Sequence, residues 1–239
     1  LVINIILYKI KIKWKDKYMK KQIYIINGSP RKNWNTAQLC ESFAKGVIDG
    51  GGASEIVNLY NIDFKGCRAC SACKLKNGKN YGICSYPDEL REILNKVSLA
   101  DGICFATPIY FGDVSGVMKM FIERLVYPFV RFDKQKWKFT PIPPKKLKTA
   151  VIYTMNVDEN TFLNQYIGQN NSAPIGFFEK WITHLYEKPE RICAFNTYQY
   201  HDYSKYDDER WDLGDKKRQY EIVFPKDLEN AYNIGKNFV

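Results

Sequence analysis

The chain has 239 residues, 45% of them hydrophobic and 26% charged, with a formal net charge of +10. This is enough apolar material for a full core and predicts one α/β domain over 19–239, and no stretch reaches the roughly 18 continuous apolar residues of a membrane span. The lysines are scattered and form no stripe with aromatic platforms. That argues against nucleic acid and leaves phosphorylated cofactors, an acidic protein partner, or no functional meaning as readings of the charge.

Residues 1–18 alternate Lys9, Lys11, Lys13 and Lys15 with Ile10, Ile12 and Trp14. The pattern suits an edge strand, or an N-terminal extension outside the core fold that precedes a start at Met19. The charges follow the apolar run and no small-residue cleavage site comes after it, so no secretory signal is read and a cytoplasmic protein is expected.

Ile23, Tyr24, Ile25 and Ile26 make a short run rich in β-formers, read as a strand buried on both faces. Gly28, Ser29 and Pro30 break it, and Thr36, Ala37, Leu39, Cys40, Phe43, Ala44 and Val47 then follow helical spacing over 35–48. A strand, polar loop and helix in this order aim N–H groups and a positive helix end at one spot. Ser29, Asn35 and Thr36 add hydroxyl or amide donors and Arg31 adds a cation, a set that suits phosphate and equally an ordinary helix cap. The stretch lacks the glycines of a dinucleotide loop and the Gly-Lys-Ser/Thr of a P-loop. Written N-G-S-P-R-x-x-x-N-T from Asn27 to Thr36, it resembles the phosphate loop of flavodoxin-like FMN proteins.

Further strands are expected at 55–59, 102–106, 149–153 and 191–195, with helices from Asp88, after Gly116, and over 175–186. Five strands alternating with helices imply a doubly wound parallel sheet with helices on both faces. A cysteine-containing insertion (60–87) follows strand two, and a C-terminal extension (196–239) ends the chain. Ligands in such sheets bind beyond the strand carboxyl ends, so the loops after Ile26, Ala106 and Tyr153 converge on one cleft.

The loop T-P-I-Y-F-G-D-V-S-G over 107–116 has Pro108 and Gly112 to hold an open shape and Ile109, Tyr110 and Phe111 as apolar surface for a flat ring. The alternative is an ordinary loop with its aromatics packed inward. Taken with the first loop, it resembles the NADPH-dependent FMN reductase superfamily, in its iron-sulfur flavoprotein branch, over about 22–155. The resemblance implies a flavodoxin-like fold with Ser29, Arg31, Asn35 and Thr36 on the FMN phosphate. It places Pro108, Ile109, Tyr110, Phe111 and Gly112 along the isoalloxazine, and Asn156, between Met155 and Val157, near the ring or ribityl chain. The flavin then carries the chemistry and no protein acid or base is required. The only histidines, His184 and His201, sit in no recognisable triad.

Cys67-x-x-Cys70-x-x-Cys73, with Cys84 ten residues further on, is too clustered for chance core cysteine. Disulfides are disfavoured in a cytoplasmic protein, and four thiolates suit a 4Fe-4S cluster, while zinc and free thiols in a structural loop stay open. The iron-sulfur flavoprotein branch carries a compact cysteine motif at this place, and the gap from 74 to 83 is longer than that pattern. Cys104 and Cys193 read as buried and Cys40 as lying on a helix face.

Tyr198, Tyr200, Tyr203, Tyr206 and Trp211 crowd the start of the C-terminal extension. They suggest an interface or a lid over a flavin, or else packing on their own subunit. The resemblance implies a homodimer or homotetramer. It also implies an FMN-dependent oxidoreductase that takes electrons from NAD(P)H, or from ferredoxin if the cluster is present, and passes them to a quinone, flavin or other small acceptor. An electron carrier relaying between protein partners is the alternative.

Overall fold

A computed structural model describes residues 20–133, 138–141 and 146–239. The expectation for 1–18 lies outside the described residues. Five strands, β1 (Gln22–Asn27), β2 (Ala53–Asn58), β3 (Gly102–Tyr110), β7 (Lys148–Thr154) and β8 (Glu190–Ala194), pair in parallel in the order β2-β1-β3-β7-β8. The register runs Ile25 beside both Ile56 and Cys104, then Ala106 beside Ile152 and Ile152 beside Ile192. The chain leaves β1 to one side for β2 and returns on its other side for β3, so the order reverses between β1 and β3. That is the position at which a doubly wound sheet opens a ligand crevice.

Strand alternation divides the core. Tyr24, Ile26, Ile103 and Phe105 face one layer, built from α2 (Leu90–Ser98), α3 (Gly116–Val126) and α4 (Pro174–Leu185). Ile23, Ile25, Cys104 and Ala106 face the other, where α1 (Asn35–Asp49) lies beside a C-terminal helix spanning Phe224–Lys236. Both faces are covered, which is why these strands read as continuous apolar runs.

Within the C-terminal extension the chain forms α5 (Leu213–Arg218) and α6 (Phe224–Lys236). Helix α6 packs on α1 through two glycines: a Cβ on Gly46 would stand 2.0 Å from the Tyr232 carbonyl oxygen, and one on Gly235 2.2 Å from that of Phe43. No side chain fits at either crossing point, so the two helices approach backbone to backbone.

Two boundaries differ from the sequence reading. Strand β3 continues past Ala106 to Tyr110, because Thr107 and Pro108 pair with β7 and Ile109 pairs back with Val114 of the short β4 (Asp113–Val114). Helix α2 begins at Leu90 and not at Asp88, since the Asp88 carboxylate is engaged by Arg124 and so does not cap the helix. An antiparallel hairpin of β5 (Val130–Asp133) and β6 (Lys138–Pro141) lies off the main sheet, in a segment where the sequence suggests no element. No helix among the described residues is long and apolar enough to cross a membrane.

Candidate active site

The loop after β1 is tied down before it meets any ligand. Asn27 Oδ1 accepts from the Ser29 amide at 3.0 Å, and Asn27 Nδ2 donates to Asn58 Oδ1 at 2.8 Å. The Ser115 hydroxyl donates to the Gly28 carbonyl at 2.8 Å, and the Gly28 amide donates to Ala106 at 2.8 Å. Gly28 is therefore clamped against the loop after β3. A Cβ there would lie 2.8 Å from Ser115 Oγ and 3.2 Å from Met118 Cβ. Helix α1 then starts at Asn35, with Trp34 at its N-cap position giving no side-chain cap and no acidic residue in the first turn, which leaves the positive end of a 15-residue helix uncompensated at the cleft.

Ser29, Arg31, Asn35, Thr36, Pro108, Ile109, Tyr110 and Asn156 line this one cleft at the carboxyl ends of β1, β3 and β7. Ser29, Asn35 and Thr36 are buried. Burial pushes the Tyr110 phenol up, Tyr60 adds to the shift and Arg31 opposes it, so Arg31 acts electrostatically across the cleft on Tyr110. Phe111 and Gly112 stand outside this lining. They form the tip of the β3–β4 hairpin at φ of 51° and 79°, with the Phe111 ring fully exposed and Gly112 against Tyr166. Pairing of Ile109 with Val114 and of Tyr110 with Asp113 makes these two residues the turn of the hairpin.

Trp34, Thr154, Met155, Thr197, Tyr198 and Gln199 complete the wall; from sequence, Tyr198 was named only as part of an interface or lid, Met155 only as a neighbour of Asn156, and the other four were not singled out. Thr36 and Thr154 share a hydroxyl hydrogen bond of 2.8 Å. The segment after β8 crosses the phosphate end of the cleft: Arg31 Nη1 donates to the Gln199 carbonyl at 2.6 Å and Asn35 Nδ2 to that of Tyr198 at 3.0 Å. Trp34 stacks on His201 with ring centroids 4.5 Å apart, and the Arg31 guanidinium lies 5.0 Å from the Trp34 ring centre. The position of β8 at the same sheet edge was the available signal, because its loop must open on the side where the loops of β1, β3 and β7 open. The tyrosines of the extension pack on one another, Tyr200 on Tyr206 at 4.0 Å and Tyr198 on Tyr203 at 5.7 Å.

The donor set suits a phosphate monoester: a cation, two hydroxyls, a side-chain amide and an uncapped helix end. Asn35 and Arg31 donate to the carbonyl oxygens of Tyr198 and Gln199, and an anionic oxygen would compete for the same donors.

The cysteines form a second centre. Cys67, Cys70, Cys73 and Cys84 line one pocket against α3, together with Glu123, Arg124 and Tyr127. None of the four is in a disulfide; Cys73 is buried, Cys84 half-buried, and Cys67 and Cys70 are exposed. Burial pushes the Cys73 thiol up; Lys74 opposes this, and Cys84 and Cys67 add to it. Ala69 and Ser71 take left-handed backbone at φ of 53° and 58°, so the C-x-x-C-x-x-C loop is tightly coiled. Four thiols of this kind suit an iron-sulfur cluster by number and chemistry. Among the described residues, however, no three His, Cys, Asp or Glu side chains are drawn together as a metal site, so the thiols would have to close in on such a group.

The strand order 2-1-3 followed by β7 and β8, with an uncapped helix end and a polar loop at the β1/β3 reversal, defines a flavodoxin-like α/β protein with a crevice at that reversal. The chain belongs to the NADPH-dependent FMN reductase family, whose model matches residues 22–152. It is similar to an iron-sulfur flavoprotein of Archaeoglobus fulgidus, 41% identical over 103 residues that cover 43% of this chain and 48% of the relative. An iron-sulfur flavoprotein of Methanocaldococcus jannaschii is 36% identical over 99 residues, covering 41% and 49%. The chain thus spans about half the length of the curated relatives it matches. Among solved structures, the NAD(P)H:quinone oxidoreductase of Methanothermobacter marburgensis superposes with a TM-score of 0.66 at 15% identity, covering 92% of this chain and all of that one, a likeness of fold alone.

Proposed function

We propose that this protein is an FMN-dependent oxidoreductase that passes electrons from NAD(P)H, or from a ferredoxin, to a quinone, flavin or other small acceptor. The observation that carries the reading is the convergence of Ser29, Arg31, Asn35 and Thr36 with Pro108, Ile109, Tyr110 and Asn156 on one cleft at the strand-order reversal. Bound FMN supplies the hydride and electron chemistry. The chain's own part is binding and orientation. Arg31 neutralises the phosphate, Ser29 and Thr36 offer hydroxyl protons to its oxygens, and the first turn of α1 lends its free N–H groups. Ile109 and Pro108 keep water from one side of the ring, and Asn156 offers a polar group to its edge. The wall segment 197–199 would give up its carbonyl contacts with Arg31 and Asn35 to the incoming phosphate.

The four-cysteine pocket supports a second reading, an electron-relaying iron-sulfur flavoprotein in which Cys67, Cys70, Cys73 and Cys84 would hold a 4Fe-4S cluster. The names of the two curated relatives favour it. A homodimer or homotetramer belongs to both readings, and the exposed Phe111 and Phe177 rings support it.

The deciding experiment is the visible spectrum of anaerobically purified protein, with iron and acid-labile sulfide assayed on the same sample. Flavin bands with steady NAD(P)H oxidation by a quinone support the oxidoreductase. Flavin bands over broad absorbance, with about four irons per chain that are lost on Cys73→Ser, support the relay. A colourless protein that takes up no FMN on reconstitution overturns both.

A further inference from the structure

Lys216, on helix α5, is fully buried, and its position is not explained by the core. Its ammonium donates to Asn156 Oδ1 and, at 3.0 Å, to the Thr197 carbonyl, and lies 4.6 Å from the Trp211 ring centre. Both hydrogen-bond acceptors are neutral, and both belong to residues that line the candidate flavin cleft. Burying an ammonium against neutral groups is costly, and a Met or Leu would fill the same space without that penalty.

The geometry does two things that an apolar residue could not. An ammonium can only donate, so it fixes which end of the Asn156 amide is the oxygen and leaves Nδ2 as the group Asn156 presents to the cleft. It also puts a positive charge directly behind that wall, in a medium where a charge is felt more strongly than in water. We propose that Lys216 is a positioning residue of the flavin site: it locks Asn156 as a hydrogen-bond donor to the bound flavin and biases that flavin toward its reduced, more negative form. The proposal rests on the reading of the cleft as an FMN site. Burial lowers the Lys216 pKa to about 8, with Asp208 acting in the opposite sense, so the group remains largely charged at neutral pH.

The test is titration of FMN into apoprotein of the wild type, Lys216→Met and Asn156→Asp, followed by the midpoint potential of the bound flavin. Lys216→Met keeps the volume and loses the charge. Asn156→Asp keeps Lys216 paired, so folding is preserved, but removes the amide donor and neutralises the cation. Both variants are expected to bind FMN about tenfold more weakly, the loss of one hydrogen bond from the Asn156 amide, and to shift the potential to more negative values. In the double variant the two affinity losses should not add, since the residues act as one unit. Wild-type affinity and potential in Asn156→Asp would overturn the proposal while leaving the FMN site intact. Failure of the wild-type apoprotein to bind FMN would overturn the reading of the cleft and the proposal with it.

Discussion

Arg124 and Cys84 meet across two elements of the fold: the arginine Nε donates to the cysteine sulfur at 3.4 Å, while its Nη2 donates to Asp88 Oδ1 at 2.9 Å. The Arg124 side chain is 1% exposed and that of Asp88 13%, so this bidentate pair is effectively desolvated. Arg124 also reaches the Lys65 carbonyl at 3.1 Å and lies 5.5 Å from the Tyr86 ring centre. One guanidinium thereby ties α3 to both ends of the cysteine insertion. Burial pulls the Arg124 pKa down, but the hydrogen bonds to Asp88 and Cys84 more than offset it.

Arg124→Met should therefore lower stability by about 3 kcal/mol, because it strands the Asp88 carboxylate in the interior. The double variant Asp88→Asn/Arg124→Met should recover part of that loss. Urea denaturation of the two variants checks this; equal stability of Arg124→Met and wild type would show that the pair is not desolvated in solution.

Gly28→Ala should cost roughly 1–3 kcal/mol, since the new methyl meets the Ser115 hydroxyl that holds the Gly28 carbonyl. Shifting Ser115 also disturbs its amide bond to Thr107 Oγ1, 3.0 Å long, so the loops after β1 and β3 move together. FMN affinity should fall along with the thermal midpoint. Ser115→Ala in the Gly28→Ala background should restore part of the stability, and its failure to do so would rule out this clash as the cause.

At Arg31 the expected effect is on affinity. The Arg31 side chain donates to the Gln199 carbonyl, lies over the Trp34 ring and acts at a distance on Tyr110, all at the cleft rim and none in the core, so Arg31→Ala should leave the fold stable. It should weaken FMN binding by about ten- to a hundredfold through loss of a charge-assisted contact. Riboflavin, which has no phosphate, should bind wild type and variant alike. An equal loss for both ligands in a titration would place Arg31 at the ring and not at the phosphate.

Asp227, in the first turn of α6, has an Oδ2 atom that is buried without a hydrogen-bond partner, and burial pushes its pKa up from 3.8 to about 6. Because the folded pKa is raised, the folded state binds the proton more tightly, and stability falls as pH rises from about 4 through 6. The penalty is fully present at pH 7. Asp227→Asn should thus stabilise the protein by roughly 1 kcal/mol at pH 7, a value discounted for partial exposure. The gain should disappear below about pH 4. Denaturant midpoints at several pH values check this, and a gain independent of pH would point to a cause other than ionisation.

Local chemistry determined much of this protein. The run from Ile23 to Ile26, the break at Gly28-Ser-Pro and the helical spacing from Thr36 to Val47 specify strand, turn and helix in succession, and the parallel α/β class follows from repeating that unit. The candidate residues of the first loop were legible for the same reason: they occupy the carboxyl end of an apolar run, where such a sheet must open, whereas Asn156 came from the family resemblance. Tertiary structure alone decided the rest. Arg31 meets Gln199, Lys216 meets Asn156 and Arg124 meets Asp88 across 168, 60 and 36 residues of chain. No periodicity encodes such pairs, because each depends on how two layers of helices settle on the sheet. The hairpin turn at Phe111 and Gly112 was likewise set by pairing of Ile109 with Val114. The glycine crossing of α1 and α6 also escaped sequence reading, since Gly46 and Gly235 matter only through what the opposite backbone brings within reach.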